Sequence, residues 1–265
     1  MQKKSKNLTL NKKRSSKMTY QHNTEITKER EITNTHSLVR KLDLEKAISK
    51  IEPHPTPKAY LEQYTIPSET VAEILYIATY TYNDIIGKTI ADLGCGTGRL
   101  AIGSALIGAK ETFGVDIDRV AIKVAHKNAE KMKVKERTHW IMADVDAIQG
   151  SFDTVLQNPP FGVQRRGADR KFLEKSLALG HRIYSLHKSG KSNRDFIKRL
   201  RRRGTRFIPV PPSPFLKRLI KKHGGRIKAV YAMLMTIPHM FDFHRERKHE
   251  FIVDLYIIER STPSD

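Results

Sequence analysis

Two strings in this 265-residue chain combine residue types and spacing that reaction chemistry needs. Asp92-Leu93-Gly94-Cys95-Gly96-Thr97-Gly98 follows an apolar strand pattern and reads as a glycine-rich turn, through which a backbone approaches a nucleotide-like ligand closely. Asn158-Pro159-Pro160-Phe161 ends another strand pattern. The exocyclic amine of adenine is a poor nucleophile because its lone pair is delocalised into the ring. If the Asn158 side chain and the Pro159 carbonyl each accept one N–H, the nitrogen is biased towards sp3 and its lone pair turns towards an incoming methyl group. Proline fixes φ and presents its carbonyl rigidly, so the tetrapeptide predicts a preorganised electrostatic site. Phe161 is then placed to stack on a flipped-out base, an interaction worth about 1–3 kcal/mol. Asn158, Pro159, Pro160 and Phe161 are therefore the expected catalytic residues of an adenine-N6 methyltransferase acting on RNA.

The glycine spacing, G-x-G-x-G over Gly94, Gly96 and Gly98 with Thr97 between, differs from the G-x-G-x-x-G of dinucleotide enzymes. Asp92, two residues before the first glycine, is positioned for a cationic amino group. NAD carries none at that end, whereas S-adenosylmethionine carries an α-amino group. Asp116, at the end of the next strand pattern, is where an acid binds ribose hydroxyls. Asp144 ends a third and is expected to accept from the exocyclic amine of the cofactor's adenine, with Val145 offering its backbone N–H. Asp118 reads instead as the N-cap of the following helix. Cytosine-C5 methylation would need a thiol nucleophile, and the single cysteine, Cys95, lies in the cofactor loop. His187 and His244 have no second ligand at metal spacing and read as polar or RNA-facing.

The elements that must position these residues are legible as alternation. Strands are expected at Thr89–Leu93, Thr112–Ile117, Thr138–Ala143, Phe152–Gln157 and Arg182–Leu186, with helices at Arg99–Ile107, Asp118–Met132 and Asp169–Leu179. That order predicts an α/β, doubly wound, mostly parallel sheet. Arg226–Thr236 and Glu250–Glu259, joined by the loop His239–His249 without a helix, should pair antiparallel. A parallel sheet ending in an antiparallel strand pair is the Rossmann-like plan of class I S-adenosylmethionine-dependent methyltransferases. Upstream, a short helix is expected over Ser37–Lys50, capped near Asp43, and a second over Pro67–Tyr82. Lys188–Lys222 is basic and reads as two helical pieces broken at Gly204 and Pro209–Pro214.

The chain carries 49 lysines and arginines against 28 acids, a net charge of +21. Such a surplus fits a partner whose phosphates hold condensed counterions, namely RNA. One cysteine permits no intrachain disulfide, which fits a reducing, cytoplasmic setting. No apolar run is long enough to span a bilayer, so no membrane association is expected. Residues 1–36 form a basic tail without apolar periodicity, expected to be disordered. Seven basic residues precede its first acid, Glu25, and Met18 offers an alternative start. Residues 37–262 read as a single domain with a basic insertion at about 199–222.

From about Ser37 onwards the chain resembles the methyltransferase-like five proteins and their archaeal relatives, adenine-N6 methyltransferases of small-subunit ribosomal RNA. The resemblance is carried by Leu61-Glu62-Gln63-Tyr64, the loop from Ala91, the acids of Val115-Asp116-Ile117-Asp118, Asn158 to Gly162, Asp169, Tyr184 to Lys188, and Phe243 to Lys248. It implies that Gln63, Tyr64 and Thr65 help hold the cofactor, and that Lys188, Arg245, Arg247 and Lys248 contact RNA. It also implies a small zinc-binding methyltransferase activator covering an exposed sheet edge. Two alternatives share parts of this pattern: glutamine-N5 methylation of a release factor, and a non-catalytic rRNA-binding assembly factor.

Overall fold

The computed structural model describes residues 39–162, 167–190, 193–203, 206–238 and 248–260. The basic tail before residue 37, and with it Met18, lies outside the described residues. So does His244.

The sheet has eight strands: Thr89–Leu93 (β1), Glu111–Asp116 (β2), Thr138–Met142 (β3), Phe152–Gln157 (β4), Gly180–Lys188 (β5), Phe207–Pro209 (β6), Gly225–Pro238 (β7) and Lys248–Arg260 (β8). Their spatial order is β3-β2-β1-β4-β5-β8-β7-β6. β1 to β5 pair in parallel, β8 runs antiparallel between β5 and β7, and β6 adds a short antiparallel edge. This is the expected plan. Every one of β1 to β5 lies within a residue or two of its sequence reading, because these runs are punctuated sharply by Gly, Asp and Pro.

Among the described residues, seven helices connect or flank the strands: Lys41–Ser49 (α1), Ser68–Tyr76 (α2), Arg99–Ile107 (α3), Arg119–Lys131 (α4), Ala168–Leu179 (α5), Asn193–Arg203 (α6) and Pro214–Lys222 (α7). Asp118 does cap α4, its side chain accepting from the Val120 N–H. The cap expected at Asp43 is corrected. Arg40 is the N-cap of α1, while Asp43 sits in the first turn and pairs with Arg40 at 2.6 Å. The helix expected over 67–82 ends as a π turn, Ile77–Thr81, where the Thr79 hydroxyl donates to the Leu75 carbonyl.

The strand order reverses between β1 and β4. In an open α/β sheet this switch point leaves a crevice at the carboxyl ends of the two strands. The glycine loop follows β1 and the Asn-Pro-Pro-Phe string follows β4, so topology alone brings the two strings together. One core cluster under the site joins Leu93, Val155, Leu173, Leu177, Ile183 and Tyr256 to Leu216, Leu219 and Ile220 of α7. The basic segment after residue 199 thus contributes an edge strand and a core-forming helix to the domain.

Candidate functional site

A cavity of about 370 Å³ opens at this switch point, and the residues read from the glycine loop and strand ends line it. Asp92, Gly94, Gly96, Thr97, Asp116, Asp144, Val145, Asn158 and Pro160 form its wall and floor, with Gln63, Tyr64 and Thr65 across from them. Gly98 is outside the lining: it is the N-cap of α3, with φ 87°.

Asp92 is 1% exposed. Its Oδ2 accepts from the Ala101 N–H at 3.1 Å, whereas Oδ1 is buried with no hydrogen-bond partner. Desolvation pushes its carboxyl up to about 7, against the pull of the Ala101 N–H. A bound cation would supply what that orphaned oxygen lacks. Asp116 accepts from the Gly96 N–H through Oδ2 at 2.8 Å and from the Asp118 N–H through Oδ1 at 2.9 Å. Burial raises its pKa while these two N–H groups oppose the rise. Asp144 caps the short turn Val145–Ala147 and accepts from Lys171 Nζ at 2.7 Å. Nothing stands within 4 Å of where a Cβ on Gly96 would lie, which leaves open space beside the loop. These residues fit S-adenosylmethionine: a partnerless carboxylate oxygen, an acid fixed at the second strand end, and a glycine facing space.

The far wall is a strap of irregular chain whose importance periodicity could not reveal. Asp118 is its anchor. Beyond capping α4, Asp118 Oδ2 accepts from Gln63 Nε2 at 2.9 Å and meets Lys58 Nζ at 3.1 Å and His54 Nε2 at 3.3 Å. Desolvation works against this carboxylate, yet bonds from Gln63, Val120 and Lys58 hold it down at about 2. Gln63 also accepts from the Lys58 N–H through Oε1 at 2.8 Å, so both ends of its amide secure the strap. Next to it, Glu62 adopts the left-handed conformation (φ 52°) and is 8% exposed. Its Oε2 accepts from the Phe161 N–H at 2.6 Å. Arg99 fixes the strap's other end, donating to the Ile66 carbonyl at 2.7 Å and the Ile51 carbonyl at 3.2 Å. Sequence reasoning gave no role to Glu62, beyond its place in the Leu61–Tyr64 string, and none to Arg99. Arg99 did carry a signal, since a cation opening a helix opposes the macrodipole and needs a reason.

At the reacting end, Asn158 Oδ1 is buried without a partner. The Phe161 ring stands edge-on to Phe251, with centroids 6.0 Å apart. Beneath them runs a buried polar row. Gln157 Nε2 donates to Ser185 Oγ at 2.8 Å, and Ser185 Oγ meets His187 Nε2 at 2.8 Å. His187 is 3% exposed, and desolvation lowers its pKa to about 4. The expectation of a polar or RNA-facing His187 is therefore corrected: the Tyr256 ring stands edge-on to the imidazole with centroids 5.4 Å apart, and Ser185 meets its Nε2, so the side chain is enclosed. Lys188, one residue on, is exposed. Arg245 and Arg247 lie outside the described residues, and Lys248 is described only as the first position of β8.

Comparison with known proteins adds three findings. A family model for ribosomal protein L11 methyltransferase (PrmA) matches residues 73–159, the stretch from α2 through the glycine loop to Pro159. The chain is 36% identical over 230 residues to the rRNA N(6)-adenosine-methyltransferase METTL5 of Danio rerio, covering 84% of this chain and 98% of that protein. The crystal structure of PH1948 from Pyrococcus horikoshii, described provisionally as an RNA methyltransferase, superposes with a TM-score of 0.70 at 33% identity, covering 85% of this chain and all of that one. The fold alone is shared, at 16% identity and a TM-score of 0.51, with magnesium protoporphyrin IX methyltransferase from Synechocystis PCC 6803 bearing bound SAM; 73% of this chain and 79% of that one are covered.

Proposed function

The chain belongs to the METTL5 family of rRNA N6-adenosine-methyltransferases, and from that membership we propose that it methylates N6 of an adenine in small-subunit ribosomal RNA. S-adenosylmethionine, when bound, supplies an electrophilic methyl group on a sulfonium. The residues to hold it are Asp92 for the α-amino group, Asp116 for the ribose hydroxyls, and Asp144 with the Val145 N–H for the adenine. The strap of Gln63, Tyr64 and Thr65 covers it. Asn158 Oδ1 and the Pro159 carbonyl accept the two N–H groups of the target amine, and Phe161 stacks on the base. No strong base is required, because the methylated nitrogen is cationic and loses its proton readily.

The observation that carries this reading is the buried, partnerless Asn158 Oδ1 at the rim of the cofactor cavity. Leaving a buried acceptor unpaired costs about 1–3 kcal/mol, which a target N–H offsets. The L11 methyltransferase model matches residues 73–159, which hold the glycine loop and end within the Asn158–Phe161 string.

A partner belongs to the same reading. β3 closes one end of the sheet and, among the described residues, has one side unpaired. Around it Ile117 and Met142 are each 56% exposed and Val120 38%. An apolar edge of this kind suits strand addition by the small zinc-binding activator. Among the described residues no helix is long and apolar enough to cross a membrane, and the cytoplasm, where ribosomal RNA is met, is the proposed location.

The test is mass spectrometry of nucleosides from small-subunit rRNA incubated with the protein and labelled S-adenosylmethionine. Labelled N6-methyladenosine is expected, and label on a release-factor glutamine instead would overturn the reading. Asn158→Ala should lower turnover about 100- to 1000-fold, as loss of one preorganised polar group does, with cofactor affinity unchanged.

A further inference from the structure

Residues 189–228 hold fourteen lysines and arginines against a single acid, Asp195. Most of the chain's net charge of +21 therefore lies in this one segment. The fold sorts it onto a surface. In α6, Phe196 and Leu200 are buried against Ile208, Ala232 and Ile252, leaving Lys198, Arg199 and Arg202 exposed. In α7, Leu216, Leu219 and Ile220 enter the core, leaving Lys217, Arg218, Lys221 and Lys222 exposed. The β7 residues beneath are Val230 in the cluster under α7 and Ala232 in the cluster under α6. Side chains two apart on a strand share a face, so both helices cover one side of the sheet.

Nearby ion pairs belong to other residues: His223 with Glu174, and Arg226 and Lys228 with Glu259. The seven exposed cations described on the helices meet no acid among the described residues. Like charges kept together without counter-charges destabilise a fold unless a polyanion occupies them. β5 leads into α6 from the catalytic end of the sheet, since Ser185 is in register with Gln157, which precedes Asn158.

We infer that the outer face of α6 and α7 is a docking surface for the phosphate backbone of helical rRNA flanking the target adenine, an inference that rests on the RNA-methyltransferase reading. Unpaired single-strand binding uses rows of stacking aromatics, whereas among the described residues this face presents one exposed aromatic, Phe215 at 51%. Point charges without stacking platforms grip a backbone irrespective of sequence.

The test compares the full chain with Lys198→Gln/Arg202→Gln/Lys221→Gln/Lys222→Gln, and with a control, Lys123→Gln/Lys127→Gln on α4. Affinity for an rRNA-derived stem-loop is measured across salt concentrations, together with KM and kcat. The expected result is a salt slope reduced by about one for each phosphate-binding cation neutralised, a KM for RNA raised about ten-fold or more, unchanged kcat, and an unaffected control. An unchanged slope with methylation intact overturns the surface and spares the enzyme reading. A reduced slope in a protein that methylates no RNA overturns that reading and spares the surface. If the slope is unchanged but the substitutions abolish binding to phosphatidylserine vesicles, the patch is a membrane site and the inference falls.

Discussion

The carboxylate of Glu62 accepts a hydrogen bond from the backbone N–H of Phe161 at 2.6 Å, across 99 positions of sequence. Through it the strap over the cavity holds the loop proposed to grip the target base. Gln63, the next residue, ties the same strap to Asp118 beside Asp116. Cofactor pocket and catalytic loop thus share one short mechanical link.

If that link sets the catalytic geometry, Glu62→Ala should lower kcat about 10- to 100-fold, the scale of a misplacement of about 1 Å. Cofactor affinity should change little, because Asp92 and Asp116 are untouched. Glu62→Gln keeps an acceptor and should recover much of the loss. Single-turnover kinetics beside calorimetric cofactor titration separate the two quantities. Equal activity in Glu62→Ala and wild type would remove Glu62 from any positioning role.

With Asp92 as the proposed partner of the cofactor's α-amino group, cofactor affinity should depend on pH. Its folded pKa, about 7, lies above the ordinary carboxyl value of about 3.9. The ligand-free fold therefore loses stability as pH rises from about 4 to about 7, because the unfolded chain ionises first. A bound α-amino cation favours the ionised form, so binding should release a proton below pH 7. Affinity should strengthen between pH 5.5 and 7.5, by at most about ten-fold per unit. Asp92→Asn should bind more weakly at pH 7.5 and show a flat profile over this range. Calorimetry in buffers of different ionisation enthalpy counts the proton, and finding none in wild type would refute the assignment.

The sequence made the sheet and the cofactor floor legible because their signals are local. β1, β4 and α3 match their expected bounds residue for residue, each being an apolar run bounded by Gly, Asp or Pro. The acids at the ends of β1 and β2 follow from the same punctuation. Elements held by side-chain bonds and distant pairing did not show. β6 has three residues, only one of them buried, and ends in Pro209; its strand character comes from β7. The strap around Pro53, Pro55 and Pro57 has no period, since Asp118, Glu62 and Arg99 hold it. His187 looked polar because the alternation of Tyr184-Ser185-Leu186-His187 mimics a half-exposed strand, whereas Ser185 and His187 are buried in a polar row with Gln157 and Ser176, under the Tyr256 ring.

Buried and neutral, His187 should govern acid sensitivity. Its folded pKa, about 4, is below the free value of about 6.5, so its contribution is complete above pH 6.5 and is lost as pH falls towards 4. The full swing is about 3 kcal/mol. His187→Gln replaces the ring with a group that does not titrate and can still accept from Ser185. Urea unfolding at pH 7.5, 5.5 and 4.5 should give a shallower pH dependence for the variant than for wild type. Parallel curves would mean that His187 does not drive acid unfolding.

Two glycines of one loop should respond differently to the same substitution. A Cβ on Gly98 would stand 2.5 Å from Trp140 Cη2 and 3.2 Å from Ile102 Cδ1, whereas one on Gly96 meets nothing within 4 Å. Trp140 cannot withdraw easily, because its ring also lies against Gly114, where a Cβ would come within 2.4 Å. Both glycines have positive φ, which costs a side chain about 1–2 kcal/mol. Gly98→Ala adds overpacking of about 1–3 kcal/mol, so its main effect should be a lower Tm. Gly96→Ala should remain more stable but bind cofactor more weakly, since its methyl group projects into the space beside the ligand. Differential scanning fluorimetry with and without S-adenosylhomocysteine reads both effects. If Gly96→Ala proves the less stable protein and Gly98→Ala the weaker binder, the cofactor lies elsewhere than against Gly96.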